Sequence, residues 1–99
     1  MNHSTSPAAT QFGERVRSAR IELGLSQENI AELAQMHVTN YGKIERGIAN
    51  PSLVTILRIA SVLGTDVATL TAGLSRDDLP AEFDVLPAAE FLRERARRR

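Results

Sequence analysis

Residues 26–64 read SQENIAELAQMHVTNYGKIERGIANPSLVTILRIASVLG, and this stretch decides the fold. Its apolar residues recur at intervals of three and four, which is the spacing of one face of an α-helix. Ser26 and Ser52 stand just before two of these runs, where their hydroxyls can cap a helix, and a glycine ends two of the runs. The stretch therefore predicts a helix of about eight residues after Ser26, a second over Val38–Arg46, and a third after Ser52.

The third of these helices should turn its apolar side chains toward the core. These side chains are Leu53, Ile56, Leu57, Ala60 and Leu63. On either side of the stretch, a helix is predicted over about Gln11–Leu23, and Asp66 caps a last short helix that ends near Gly73. No segment alternates apolar and polar residues for long enough to predict a strand. We therefore predict an all-α domain of five helices within residues 11–73.

The composition narrows the classes of function. The chain has 99 residues, 42% hydrophobic and 24% charged, which is typical of one globular domain with tails. Its 12 basic residues balance its 12 acidic ones, so a nucleic-acid surface must come from local clustering of charge. The absence of cysteine excludes disulfides and thiolate catalysis and fits a cytoplasmic protein. No apolar run approaches the roughly 20 residues that cross a bilayer, so no membrane segment is expected.

Both ends of the chain lie outside the helical pattern. Residues 1–10 are small and polar and contain Pro7, so we expect a flexible N-terminal arm. Residues 74–99 form a C-terminal extension in which an acidic stretch precedes an arginine-rich end, and Ala88–Arg98 has helical spacing. Five large apolar side chains of this extension need a covering surface: Phe83, Val85, Leu86, Phe91 and Leu92. We expect a second copy of the chain to cover them, with the domain itself and a partner protein as the alternatives.

Two short helices joined by a turn of three or four residues are what a helix-turn-helix protein needs to lay its second helix in the major groove. Short motifs strengthen this interpretation: Ser26-Gln27, Ala31, Ile44-Glu45-Arg46-Gly47, Asn50-Pro51-Ser52-Leu53 and Ala60-Ser61-Val62-Leu63-Gly64. In this order and at these intervals, the chain resembles the phage-repressor or Xre-type family of helix-turn-helix DNA-binding domains, from about Phe12 to Leu70. The resemblance implies a DNA-binding transcription regulator rather than an enzyme.

The resemblance implies that the helix over Val38–Arg46 is the recognition helix. Its outward positions are then expected to reach base edges in the major groove. Counted back from Gly47, those positions are Val38, Thr39, Asn40, Gly42 and Lys43. Tyr41 and Ile44 are expected to point into the core.

The side chains at these positions have suitable chemistry. Val38 and Thr39 can offer methyl groups to thymine. Asn40 can bond adenine, and Lys43 can donate to guanine or to a phosphate. The sequence does not indicate which bases are read.

Other residues acquire roles through the same resemblance. Gln27 is similar to a glutamine that touches a phosphate at a helix N-terminus and braces the recognition helix. Arg46 and Asn50 belong to a segment that resembles the phosphate-contacting loop of the family. Arg20 and Glu45 resemble a pair that ties the first helix to the recognition helix.

Three residues depart from the family pattern. Gln35 stands at a turn position usually held by glycine, so either the backbone is strained there or the turn differs. His37 stands where serine or threonine normally caps the recognition helix. Gly42 lies inside that helix, where glycine should lower helix stability by about 1 kcal/mol relative to alanine. Its presence there reflects either drift or a need for the helix to approach DNA closely.

We therefore expect the chain to bind duplex DNA sequence-specifically as a homodimer, with one recognition helix on each half of a palindromic operator. The alternative is a protein-interaction module, such as an antitoxin or an adaptor, that uses residues 74–99. Catalysis has no support, because Thr55 and Ser61 lack a nearby base and the sequence holds no phosphate-binding glycine loop. Neither histidine has a partner at metal-ligand spacing, so we expect neither a metal nor a cofactor.

Overall fold

The computed structural model describes residues 5–98 and is all-helical there, which confirms the predicted fold class. The α-helices are α1 Pro7–Glu22, α2 Gln27–Leu33, α3 Val38–Glu45, α4 Leu53–Leu63, α5 Val67–Thr71 and α6 Ala88–Arg97. A short 3₁₀ helix over Arg76–Asp78 lies between α5 and α6. Helices α1 to α5 correspond to the five predicted helices, and α6 corresponds to the helical spacing in the C-terminal extension.

Helix α1 begins at Pro7 and not at Gln11, so its predicted start is too late. The Ser6 hydroxyl caps the helix by accepting a hydrogen bond from the amide of Ala9 at 3.0 Å. Proline suits the first helical position because the N–H that it lacks would have no partner there. The expectation of a flexible arm is therefore wrong for residues 7–10, while residues 1–4 of that arm lie outside the described residues.

The three predicted caps are present. The side chains of Ser26, Ser52 and Asp66 each accept a hydrogen bond from the amide three residues further on, at 3.0, 3.1 and 2.7 Å. At α2 the cap is reciprocal, because the Asn29 side chain accepts in turn from the amide of Ser26 at 3.0 Å. Each cap satisfies donors that a helix start leaves without a partner, which explains why α2, α4 and α5 start where they do.

A single apolar core lies between α1 and the other helices of the domain. Helix α1 contacts α3, α4 and α5, and α2 packs on both α3 and α4. The buried apolar residues are Phe12, Val16, Ile30, Ala31, Ala34, Tyr41, Ile44, Ile59, Ala60, Leu63 and Leu70. The core therefore fixes the relative positions of α2 and α3, the two helices of the helix-turn-helix.

Helix α1 approaches α3 through Gly13. A Cβ atom at this position would lie 2.6 Å from the carbonyl oxygen of Glu45 and would also overlap the carbonyl oxygen of Ile44. Both are backbone atoms, which cannot move aside as a side chain can. The absence of a side chain at Gly13 therefore sets the distance between these two helices.

The replacement Gly13→Ala should lower the free energy of unfolding by about 1 to 3 kcal/mol, because the added methyl group overpacks a backbone contact. Chemical denaturation of the variant and the wild-type protein measures the change. Ser18→Ala, on the exposed side of the same helix, is the matched control and should leave stability nearly unchanged or slightly raised. Equal stability of the Gly13 variant and wild type would show that α1 and α3 can move apart freely.

Helix α4 buries Ala60 and Leu63 and partly buries Ile56, as predicted, but the prediction is wrong for Leu53 and Leu57. Leu53 is 65% exposed and Leu57 is 49% exposed, whereas Ile59, Ala60 and Leu63 are buried. Apolar residues occur on more than one side of this helix, so their spacing alone could not select the side that faces the core. The exposed residues form an apolar patch, which we call the α4 surface: Leu53, Val54 and Leu57, with Leu33 of α2 beside them.

The C-terminal extension contacts the domain at its beginning and exposes its apolar residues further on. The Gln11 side chain donates to the carboxylate of Asp78 at 2.8 Å. The five large apolar side chains between Phe83 and Leu92 are 49% to 57% exposed, so the domain itself does not cover them. The radius of gyration is 16.8 Å, compared with about 13 Å for a compact chain of this length, because the extension projects outward.

Within residues 5–98, no helix combines the length and the apolar character that crossing a membrane requires. No three or more acidic or histidine side chains in that range come close enough together to hold a metal ion.

Candidate nucleic-acid interface

The first turns of α3 present polar and apolar side chains to solvent. Val38, Thr39, Asn40 and Lys43 are exposed, as expected of outward positions. Tyr41 and Ile44 are buried in the core, also as expected. Helix α3 therefore has one side held by the domain and one side free to contact a ligand.

Gly42 is the exception among the five residues expected on the outward side. It is buried, and a Cβ atom there would lie 3.1 Å from an Arg46 guanidinium nitrogen and 3.4 Å from the Gln27 amide oxygen. The expectation that Gly42 faces outward is therefore wrong. Its small size instead leaves room for the side chains of Gln27 and Arg46 to cross the surface of α3.

A hydrogen-bonded cluster at the end of α3 joins three helices. Glu45 is 6% exposed, and its carboxylate receives hydrogen bonds from Arg20 of α1 at 2.7 and 3.1 Å. The Gln27 side chain at the start of α2 donates to the same carboxylate at 2.9 Å. A further Arg20 nitrogen donates to the carbonyl of Leu25 at 2.9 Å. The pair anticipated between Arg20 and Glu45 is thus present, and Gln27 braces α3.

The cluster shifts the pKa values of its members. Burial disfavours the charged form of Glu45 and is the largest single influence, but the hydrogen bonds and the charge attraction that the carboxylate receives, above all from Arg20, together outweigh burial, so its pKa lies below 4.5. The hydrogen bond to Glu45 is the main reason that the pKa of Arg20 is raised. Burial raises the pKa of Tyr41, whose buried hydroxyl has no hydrogen-bond partner within the described residues. Arg20 and Glu45 are therefore both ionised at neutral pH.

The turn between α2 and α3 shows both departures seen in the sequence. Gln35 adopts a left-handed conformation with φ of 58°, the sole positive φ of a non-glycine residue in the described range. His37 precedes α3 without making a side-chain cap. The turn thus keeps the glycine-type geometry while using a residue that adopts it at a cost.

The loop after α3 is anchored to the start of α1. Gly47 has φ of 75°, and a Cβ atom there would lie 2.8 Å from the Cα of Thr10. Its carbonyl accepts a hydrogen bond from the amide of Thr5 at 2.8 Å. Arg46 and Asn50, on either side of this contact, are exposed. The proposed phosphate-contacting residues therefore lie on a segment held by α1.

Sequence reasoning did not find Arg58 of α4. Its guanidinium donates to the carbonyl of Ala34 at 2.9 Å and also to the carbonyl of Gln35. The sequence around Arg58 gives no indication of this contact, because Gln35 lies 23 residues away in the chain. Arg58 belongs to the same surface as the turn before α3.

These features define a helix-turn-helix domain with an exposed, braced second helix. A sequence model of the helix-turn-helix family matches residues 16–70, and the chain belongs to this family. The match confirms the resemblance inferred from the motifs.

Several relatives are regulators by name. The SPbeta prophage-derived uncharacterized HTH-type transcriptional regulator YonR of Bacillus subtilis is 34% identical over 74 residues, which cover 75% of this chain and 64% of YonR. Control protein C.SmaI of Serratia marcescens is 41% identical over 71 residues, which cover 72% of this chain and 81% of that protein. The chain thus belongs to the family that its motifs resemble, and these relatives are named as a transcriptional regulator and a control protein, which is the class expected from the sequence.

Solved structures agree with the fold. The biofilm master regulator SinR, in complex with DNA, superimposes with a TM-score of 0.57 at 33% identity, over 60% of this chain and 95% of that chain. The similarity therefore extends from the motifs to the arrangement of the helices.

Removal of the Arg20 side chain should destabilise the protein strongly. Because the Arg20 side chain is 13% exposed and that of Glu45 is 1% exposed, Arg20→Ala leaves a buried carboxylate without its cationic partner. The expected loss at pH 7 exceeds the ~1 kcal/mol of an exposed pair and approaches ~3 to 5 kcal/mol. Since the pKa of Glu45 is lowered on folding, its contribution is present above pH 4.5 and is lost as the pH falls through its folded value. The difference between variant and wild type should therefore narrow below pH 4.5.

Denaturant unfolding over a pH series measures both the loss of stability at pH 7 and its decrease at low pH. Arg98→Ala is the matched control, because it breaks a pair with Glu94 that is 3.7 Å long and exposed. This control should cost no more than ~1 kcal/mol. A melting temperature unmoved by Arg20→Ala would mean that the buried pair contributes nothing to stability.

Proposed function

We propose that the chain binds duplex DNA sequence-specifically in the cytoplasm, as a homodimer on a palindromic operator, and so regulates transcription. The observation that carries the proposal is the outward side of α3, where Val38, Thr39, Asn40 and Lys43 are exposed while the opposite side is locked into the core. The regulator names of YonR and C.SmaI support it, as does the SinR structure with DNA.

The base-reading roles fall to the exposed residues of α3. The methyl groups of Val38 and Thr39 suit thymine, Asn40 suits adenine, and Lys43 suits guanine acceptors or a phosphate. Gly42 has no side chain and is buried, so its role is to admit Gln27 and Arg46 rather than to touch a base.

The phosphate contacts are assigned to residues around α3. Arg46 and Asn50 are exposed at the end of α3 and in the loop that follows. Gln27 lies at the N-terminus of α2, where free amides favour an anion. Its side-chain nitrogen already donates to Glu45, so its contribution to a phosphate comes from the backbone amide. These contacts would place α3 in the groove without selecting a sequence.

Replacement of a base-reading residue should reduce selectivity, whereas replacement of a phosphate contact should not. Thr39→Ala or Lys43→Ala should cost about 1 to 3 kcal/mol on the preferred site and relax preference there. Arg46→Ala removes an exposed side chain that is assigned to a phosphate, so it should weaken binding to all sequences similarly. Selection of DNA from a random pool followed by titration of selected and random duplexes measures both.

Ser18→Ala, on the exposed side of α1, serves as the control for the alanine replacements and should bind like wild type. Unchanged site preference in both the Thr39 and the Lys43 variants would show that α3 is not the recognition helix. A binding constant for random duplex that does not fall with salt would point instead to a protein-interaction module, because neutralising phosphates gives a steep salt dependence.

We assign the dimer contact to the α4 surface. One helix offers few base contacts, and a two-fold dimer doubles them on a palindromic site. The two copies must hold their recognition helices at a fixed separation of about 34 Å, which needs an interface on the rigid domain. The α4 surface is apolar and lies on a helix whose other side is in the core, whereas the apolar side chains of the C-terminal extension lie outside that core. A two-fold dimer brings the same patch of both copies together, so each apolar side chain of the α4 surface is buried in both subunits.

The C-terminal extension supports the second candidate function, which is binding of a partner protein. Its apolar side chains are exposed, and α6 has ten residues, fewer than the roughly 12 to 15 at which an isolated helix becomes marginally stable. A partner that covers Phe91 and Leu92 would stabilise this helix. Dimerisation through the extension, as expected from the sequence, is the competing assignment.

Matched charge insertions separate these assignments. Leu57→Glu buries a carboxylate in any contact through the α4 surface, so it should convert the dimer to monomer and weaken operator binding. Phe91→Glu should leave the dimer intact. Sedimentation and operator titration measure both, and circular dichroism checks that each variant is folded. Dissociation by Phe91→Glu but not by Leu57→Glu would move the dimer contact to the C-terminal extension.

A further inference from the structure

The turn between α2 and α3 closes α2 with a pattern that calls for glycine. The amide of Met36 donates to the carbonyl of Ala31 at 2.9 Å, and the amide of Gln35 donates to the carbonyl of Glu32 at 3.1 Å. This pair of bonds defines a helix end whose left-handed residue is usually glycine. Here the left-handed residue is Gln35, so the conformation needs support from elsewhere in the structure.

Arg58 supplies such support from α4. The helix end leaves the carbonyls of Ala34 and Gln35 without intrahelical donors. The Arg58 Nε donates to the Ala34 carbonyl at 2.9 Å, and its Nη2 donates to the Gln35 carbonyl. A fixed fork of donors on two consecutive carbonyls restricts both peptide groups at once. The positive charge also lies where the dipole of α2 favours a cation.

Within residues 5–98, Arg58 has no ion pair that competes with its bonds to this turn. Arg58 is partly buried and precedes Ile59 and Ala60, which are in the core. Its guanidinium faces the backbone of the turn.

The turn between α2 and α3 sets the direction in which the first turn of α3 leaves α2. Val38 follows Met36 by two residues, and His37 between them provides no side-chain cap. The direction of the first turn of α3, with Thr39 and Asn40, therefore depends on the backbone at Gln35. We propose that Arg58 is a positioning residue, which orients the base-reading end of α3 by holding the left-handed turn at Gln35. This inference rests on the proposed function for its effect on DNA.

The test combines variants at both ends of the contact. Arg58→Met keeps the length of the side chain and removes the donors, so the ratio of affinities for selected and random duplex should fall about tenfold. Arg58→Lys keeps the charge but not the fork of donors, so it should keep random-duplex affinity and still lose selectivity. Gln35→Gly should restore most of the ratio in the Arg58→Met background, because glycine adopts the turn unaided.

A purely structural role would not produce this pattern. Arg15→Met is the matched control, since Arg15 also donates to a backbone carbonyl, that of Leu70 at 3.0 Å, but on α5. It can lower stability but should leave the affinity ratio unchanged. Selectivity unaffected by Arg58→Met, or a loss that Gln35→Gly does not repair, would overturn the proposal.

Hydrogen exchange of the free protein separates this proposal from the proposed function. The amides of Gln35 and Met36 should exchange about tenfold faster in Arg58→Met and recover in the double variant with Gln35→Gly. Exchange unaffected at both amides would overturn the positioning role even if the wild-type protein binds DNA selectively. Faster exchange with a wild-type protein that shows no selective binding would support the held turn and count against the proposed function alone.

Discussion

The carboxylate of Glu45 is the group on which the rest of the structure depends. It lies at the last residue of α3 and accepts from α1 through Arg20 and from α2 through Gln27. A buried charge of this kind is tolerated only when its hydrogen bonds are satisfied, so arrangements of the three helices that break these bonds are disfavoured. Apolar packing brings these helices together, and the carboxylate specifies how they are oriented.

Two glycines make this arrangement possible from opposite sides. Gly13 lets the backbone of α1 reach the backbone of α3 beside Glu45, and Gly42 lets Gln27 and Arg46 cross the other side of α3. A residue with a side chain at either place would push a bonding group away from the carboxylate. The helix weakness that a central glycine brings at Gly42 is therefore offset by the contacts that its small size allows.

The sequence predicted the fold well where the signals are local. The caps at Ser26, Ser52 and Asp66 depend on residues a few positions apart, and these helices start where they were expected. Pro7 was misjudged because a proline either breaks a helix or starts one, and only the chain before it decides.

Predictions failed where the deciding neighbour is distant in sequence. Leu53 and Leu57 were placed in the core together with Ala60 and Leu63 because α4 is apolar on more than one side, and packing with α1 and α2 covers only the side of Ala60 and Leu63. Gly42 was placed outward because nothing near it in the sequence reveals that Gln27 lies over it. The contact of Arg58 with the turn was not predicted for the same reason.

The contact of Gly47 with Thr5 and Thr10 bears on the thermodynamics of any complex made by the loop after α3. A loop that becomes ordered only when it binds loses conformational entropy at that moment, and this loss subtracts from affinity. Here the first turn of α1 immobilises the loop during folding, before a ligand arrives. Arg46 and Asn50 thus flank a backbone segment that is already held in place, so less backbone ordering remains for the moment of binding.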